Sequence, residues 1–102
     1  MASSKDYLTF ILELLRNMDN IHYRAMMGEY ILYKGNLIFG GIYDNRFLVK
    51  KTESLLERNF KEIIPYPNAK PMLLIDSEDP DEVEEIVESV INDLKSNSCS
   101  HN

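Results

Sequence analysis

The apolar residues Tyr7, Leu8, Ile11, Leu14, Leu15 and Met18 recur at steps of one, three and four, the spacing that gathers side chains on one side of an α-helix. Ser4 precedes the run and offers an N-cap oxygen, so a helix is predicted from about Lys5 to Asn17. Its apolar stripe is wide enough to pack on a sheet. Met18 to Met27 follows no clear period and reads as a connection.

From Glu29 the pattern changes. Glu29–Tyr33, Leu37–Tyr43 and Arg46–Lys50 are short runs rich in β-branched and aromatic residues, separated by Lys34-Gly35-Asn36 and Asp44-Asn45. They read as three antiparallel strands. Asp and Asn tolerate positive φ, so Asp44-Asn45 suits a two-residue hairpin. That turn sets Ile42 against Phe47 and Gly40 against Val49. Alternation then places Ile38, Gly40, Ile42, Phe47 and Val49 on a wholly apolar face, the expected core side. Leu37, Phe39, Gly41, Tyr43, Arg46, Leu48 and Lys50 fall on a second, mixed face. The register across Lys34-Gly35-Asn36 stays open, since one residue more or less in that loop swaps the faces of the first strand.

Thr52 or Ser54 can cap a short helix through Phe60, with Leu55, Leu56 and Phe60 on its buried side. Pro65, Pro67 and Pro71 mark an extended loop, because proline lacks a backbone donor. Met72–Asp76 is apolar on both faces and reads as a fourth, central strand. Asp79, Pro80 and Glu82 are the N-cap, N1 and N3 signals of a last helix. Its apolar stripe is Val83, Ile86, Val87, Val90, Ile91 and Leu94. The order α-β-β-β-α-β-α predicts a two-layer α+β domain with helices on one face of an antiparallel sheet. Residues 1–95 form this single domain, and 96–102 are expected to be a disordered polar tail.

Composition narrows the function. A chain of 102 residues, 44% of them apolar, suits one core. The net charge of −6 is uneven: residues 1–75 hold ten Lys/Arg and eight Asp/Glu, whereas residues 76–102 hold nine acids and one base. An acidic chain is a poor autonomous binder of nucleic acid. Cys99 is the sole cysteine, so no internal disulfide can form, which fits a cytoplasmic protein. No apolar run approaches the roughly 20 residues that span a bilayer, and the polar MASSKD start does not read as a signal peptide. No membrane partner is expected.

Candidate chemistry sits on the mixed face. Phe39, Tyr43, Arg46 and Lys50, with Lys51, form either a cationic–aromatic interaction platform or an ordinary solvated sheet face. Met26-Met27-Gly28 is either an adaptable contact surface or packing that closes the sheet edge. The GGIYD run, Gly40 to Asp44, lacks the spacing and following helix of a phosphate-binding loop. The acidic run Asp76–Glu88 lacks the ligand order and central glycine of an EF-hand. His22, Cys99 and His101 form no catalytic or metal-ligating constellation, so no enzyme activity, metal or cofactor is expected.

Several pieces occur in a telling order: Met26-Met27-Gly28-Glu29-Tyr30, Leu32-Tyr33, Lys34-Gly35-Asn36-Leu37, and Ile42-Tyr43-Asp44-Asn45-Arg46-Phe47-Leu48-Val49-Lys50. Pro71-Met72 and Asp79-Pro80-Asp81-Glu82 follow. Together, over about residues 5 to 95, they resemble the N-terminal domain of the TfoX/Sxy family of competence regulators. The resemblance implies a stand-alone copy of that domain, without the C-terminal domain the regulators carry. It implies a non-enzymatic bacterial regulatory module with a protein partner. An exposed edge strand also makes a homodimer an expectation. The alternative is a small anionic-ligand-binding domain, or an enzyme, that uses the open sheet face.

Overall fold

Backbone at positive φ punctuates the first half of the sheet. In a computed structural model that describes residues 4–100, with side chains of residues 4–95, helix α1 (Lys5–Leu14) is followed by four strands. These are β1 (Ile21–Met26), β2 (Glu29–Lys34), β3 (Leu37–Tyr43) and β4 (Arg46–Lys50). Each joins the next through two residues. Met27-Gly28 has φ of 53° and 84°, Gly35 has φ of 62°, and Asp44-Asn45 has 54° and 57°. These left-handed turns match the twist of the strands they connect. A 3₁₀ segment (Glu53–Arg58), β5 (Glu62–Ile63), β6 (Met72–Ile75) and α2 (Pro80–Ser100) complete the chain. The sheet order is β1-β2-β3-β4-β6-β5, with every neighbour antiparallel.

The α+β class and the helix–sheet order are as the sequence predicts, with two further strands. Ile21–Met26, read as a connection, pairs with β2 from Ile21 opposite Lys34 to Met26 opposite Glu29. Its side chains are mostly exposed, so it lacks the apolar alternation that marks a half-buried strand. The two-residue β5 is held by β6 alone and is too short to show any period.

The Asp44-Asn45 hairpin has the predicted register, with Ile42 opposite Phe47 and Gly40 opposite Val49. The β2–β3 pairing does not alternate evenly. Leu32 faces Gly40 and Tyr33 faces Ile38, which leaves Phe39 as an extra residue on β3. A bulge of this kind reverses the side-chain parity on one side of it. Leu37 and Phe39 therefore join Ile42, Phe47 and Val49 on the core side. Phe39 is fully buried, whereas Ile38 is 38% exposed on the other face. The expected faces of residues 37–39 are thus corrected, whereas Ile42, Phe47 and Val49 face the core and Tyr43 and Lys50 the other side, as expected.

Both helices bury their predicted stripes against this first face. Leu8, Ile11, Leu14 and Leu15 of the α1 region and Val83, Ile86, Val87, Val90 and Ile91 of α2 join one cluster with Leu32, Phe39, Phe47 and Ile75. Each such side chain contributes about 1.5–3 kcal/mol on leaving water. Ser4 caps α1 by accepting from the Tyr7 N–H at 3.2 Å. Asp79 caps α2 by accepting from the Asp81 N–H at 3.0 Å. The Asp79 N–H donates to Ser77 Oγ at 3.2 Å, and that hydroxyl donates to Glu82 at 2.6 Å. Ser77 thus relays what a capping box does directly. The helix continues to Ser100, past Lys95, where the sequence reading ends it. His101 and Asn102 of the expected tail lie outside the described residues, as do the side chains of 96–100.

The segment read as a short helix is 3₁₀, and Asp93 of α2 pins its start. Its carboxylate accepts from the Ser54 hydroxyl at 2.7 Å and the Ser54 N–H at 2.8 Å. These bonds hold its pKa below the usual value, the hydroxyl contributing most. Leu55 is buried as expected and Leu56 is not, because a three-residue turn does not carry neighbouring side chains to one face.

Gly40 and Gly41 lie where strands approach closely. A Cβ at Gly40 would collide with Leu48 O and sit 2.9 Å from Val49 Cα. Gly40→Ala is expected to cost about 1–3 kcal/mol, the range for overpacking a well-packed site, read as a lower urea midpoint. A second expectation concerns pH. The Asp93 carboxyl is depressed in the folded state, so its stabilisation is present above the unfolded value of about 3.9. It is lost as pH falls through the lower folded value. The urea-midpoint gap between wild type and Asp93→Ala should therefore close on acidification from pH 5 to pH 2.5. A gap independent of pH would contradict it.

Candidate functional site

The second face of the sheet carries a groove of about 730 Å³. Strand alternation builds its floor: Ile31 and Tyr33 from β2, Ile38 and Tyr43 from β3, and Met72 from β6 all point to this side. The proline-rich loop supplies a wall through Pro65, Tyr66, Ala69 and Pro71. The face that the sequence leaves open is thus partly roofed by the chain itself. Tyr66 reaches Tyr43, with ring centroids 6.2 Å apart. Leu48, on the same face and outside the main core, is fully buried.

Glycine shapes the floor. A Cβ at Gly41 would lie 2.6 Å from Tyr30 O and 2.8 Å from Tyr43 Cε2. The Tyr43 ring therefore folds back along its own strand over the space where a side chain would stand. Burial raises the Tyr43 pKa, with smaller contributions from Tyr66 and Glu29.

Three lysines edge the groove: Lys50, Lys51 and Lys70. Lys51 is paired with Glu62 at 2.8 Å. Lys50 and Lys70 form no ion pair among the described residues, and no carboxylate is among the described lining residues.

Of the four residues singled out on the mixed face, the structure brings two together. Tyr43 and Lys50 line the groove. Arg46 shares their face near the hairpin tip and pairs with Asp44 at 3.8 Å, and its Nε is buried without a hydrogen-bond partner. Phe39 is in the core, moved there by the bulge. The sequence reading missed Tyr66, Met72 and Lys70. The proline loop was legible as a loop, but nothing local in it says which face of the sheet it crosses.

A second surface is the β1 edge. β1 has a neighbour on one side only, and Tyr23 is 45% exposed and Met26 49% exposed. Met27 is 97% exposed at the turn. The packing role read for Met26-Met27-Gly28 is therefore corrected: the turn projects beyond the sheet instead of closing it. Tyr23 meets Tyr30 edge-on, with centroids 5.9 Å apart. Among the described residues no group of His, Cys, Asp and Glu could hold a metal ion. A smaller cleft of about 320 Å³ mixes Lys34 and Lys95 with Glu84 and Glu88. No helix of the described residues is long and apolar enough to cross a membrane.

Burial raises the pKa of both Tyr7 and Tyr43. A raised tyrosine favours the fold below the unfolded value of about 10 and loses that contribution as pH rises through the folded value. In an absorbance titration at alkaline pH, Tyr7 and Tyr43 should ionise above the ordinary tyrosine value of about 10. Tyr43→Phe should remove an ionisation above that value; loss of one at or below it would contradict the burial of Tyr43.

No family model matches the sequence. Against curated proteins, the chain is 33% identical over 78 residues to the uncharacterised 12.7 kDa protein in the trpE 5′ region of Spirochaeta aurantia. The match spans 74% of this chain and 68% of that protein. Identity at this level over two thirds of the relative establishes common descent: the chain belongs to the same family as the Spirochaeta aurantia protein.

Proposed function

We propose that the chain is a non-enzymatic cytoplasmic protein-interaction module, of the kind that forms the N-terminal domain of TfoX/Sxy regulators, and that it takes its partner at the β1 edge. The observation that carries this reading is the exposure of that edge. β1 is six residues long, has no proline or lysine and Arg24 as its one Lys, Arg, Asp or Glu, and ends at the exposed Met26, with Met27 exposed in the turn beyond. Natural edge strands are commonly guarded by prolines, charged side chains or short length. An edge so lightly guarded offers a row of backbone donors and acceptors to an incoming strand. Methionine beside it adapts to varied partner shapes. The regulatory assignment comes from the ordered motifs between Met26 and Lys50 and from the acid-rich closing helix.

The partner is expected to be a different protein that adds a strand to β1. Affinity capture from the source cell should retain a reproducible protein. Tyr23→Lys combined with Met27→Asn should reduce its retention at least tenfold, because Asn tolerates the positive φ of the turn and lysine guards the edge. Retention unchanged by those substitutions would contradict the reading. So would a dimer of the chain, seen by light scattering and abolished by the same variant, since it would assign the edge to a second copy.

A further inference from the structure

We propose that the groove on the second sheet face binds a small amphipathic organic anion, with one anionic head on an apolar body. This goes beyond the edge-strand reading and rests on different residues. The first argument is charge. In a chain with a net charge of −6, three lysines gather at one groove without a described carboxylate in its lining. Lys51 is neutralised by Glu62. Lys50 and Lys70 are exposed and form no ion pair among the described residues. A ligand head between them would gain charge-assisted hydrogen bonds.

The second argument is the floor. Ile31, Ile38 and Met72 are apolar, and Tyr33, Tyr43 and Tyr66 present ring faces and edges. Apart from Met26 at the end of β1, the strands beneath, β2, β3, β4 and β6, are interior to the sheet. Their backbone groups are committed to neighbouring strands, and the three prolines of the wall loop bring no N–H. A bound peptide would bury its own amides against a surface with few partners for them, which is costly. A hydrocarbon or aromatic body pays no such cost. The volume of about 730 Å³ lies in the usual range for small-molecule sites.

Decanoate is a suitable probe, with 1-decanol and decyltrimethylammonium as the uncharged and cationic counterparts. Titrated into the ¹⁵N-labelled protein, decanoate should saturably shift the amides of Tyr66, Ala69 and Met72 and leave those of β1 residues 21–24 in place. Decanol should bind at least tenfold more weakly and the cation not at all. Lys50→Ala with Lys70→Ala should weaken decanoate at least tenfold. Lys50→Arg with Lys70→Arg should stay within about threefold of wild type, which separates charge from packing. Equal binding of decanol and decanoate, shifts confined to other surfaces, or an alanine pair that binds as wild type would each overturn the proposal. An acidic peptide that shifts the amides of Tyr66, Ala69 and Met72 while decanoate leaves them unmoved would overturn it too. The groove shares Met26 alone with β1, and the substitutions at Lys50 and Lys70 leave Tyr23 and Met27 in place, so the failure of this proposal and the failure of the partner reading are distinguishable.

Discussion

One surplus residue in β3 determines which side chains each face of the sheet presents. Phe39 has no partner on β2, and the parity break it creates turns its ring into the core and Ile38 out toward the groove. Without the bulge, the largest apolar side chain of β3 would stand on the outer face and the core would lose a buried aromatic ring. Gly40 and Gly41 follow immediately, and both have other backbone within the reach of an added Cβ. Bulge and glycines act together: the bulge sets the parity, and the bare glycines leave room where Tyr43 lies over Gly41 and neighbouring backbone comes close.

Much of this was legible in the sequence. The stripes of both helices, the Ser4 and Asp79 caps, and the Asp44-Asn45 register depend on interactions within a few residues, which local pattern encodes. The bulge depends on how β2 and β3 twist against each other, which alternation alone cannot report. β1 was missed for the opposite reason. Its side chains are exposed on both faces, so burial writes no pattern into it, and it is a strand because its backbone bonds to β2. The groove escaped because its wall comes from residues 65–71 and its floor from strands up to some forty residues earlier. Tyr43 and Lys50 were found because they sit on the mixed face where the parity reading held.

Charge is unevenly placed. The acids of residues 76–102 are concentrated on and before α2, where Lys34, Lys95 and Arg58 lie beside some of them, whereas the groove is edged by lysines without a carboxylate in its described lining. The two surfaces proposed for binding, the β1 edge and the groove, meet at Met26, which ends the edge strand and also lines the groove. A thioether there can repack with little cost, so it is the natural point at which occupation of one surface would be felt at the other.

The split of the sheet into a helix-covered face and a grooved face is the claim on which the rest stands, and the bulge at Phe39 is its test. Side-chain NOEs in the free protein resolve it directly. The Phe39 ring should show contacts to core methyls of Leu32 and of α2, and the Ile38 methyls should contact the Tyr33 ring on the opposite face. Ile38 contacting α2, with the Phe39 ring near Tyr33 or Tyr66, would show an evenly alternating β3 and contradict the account.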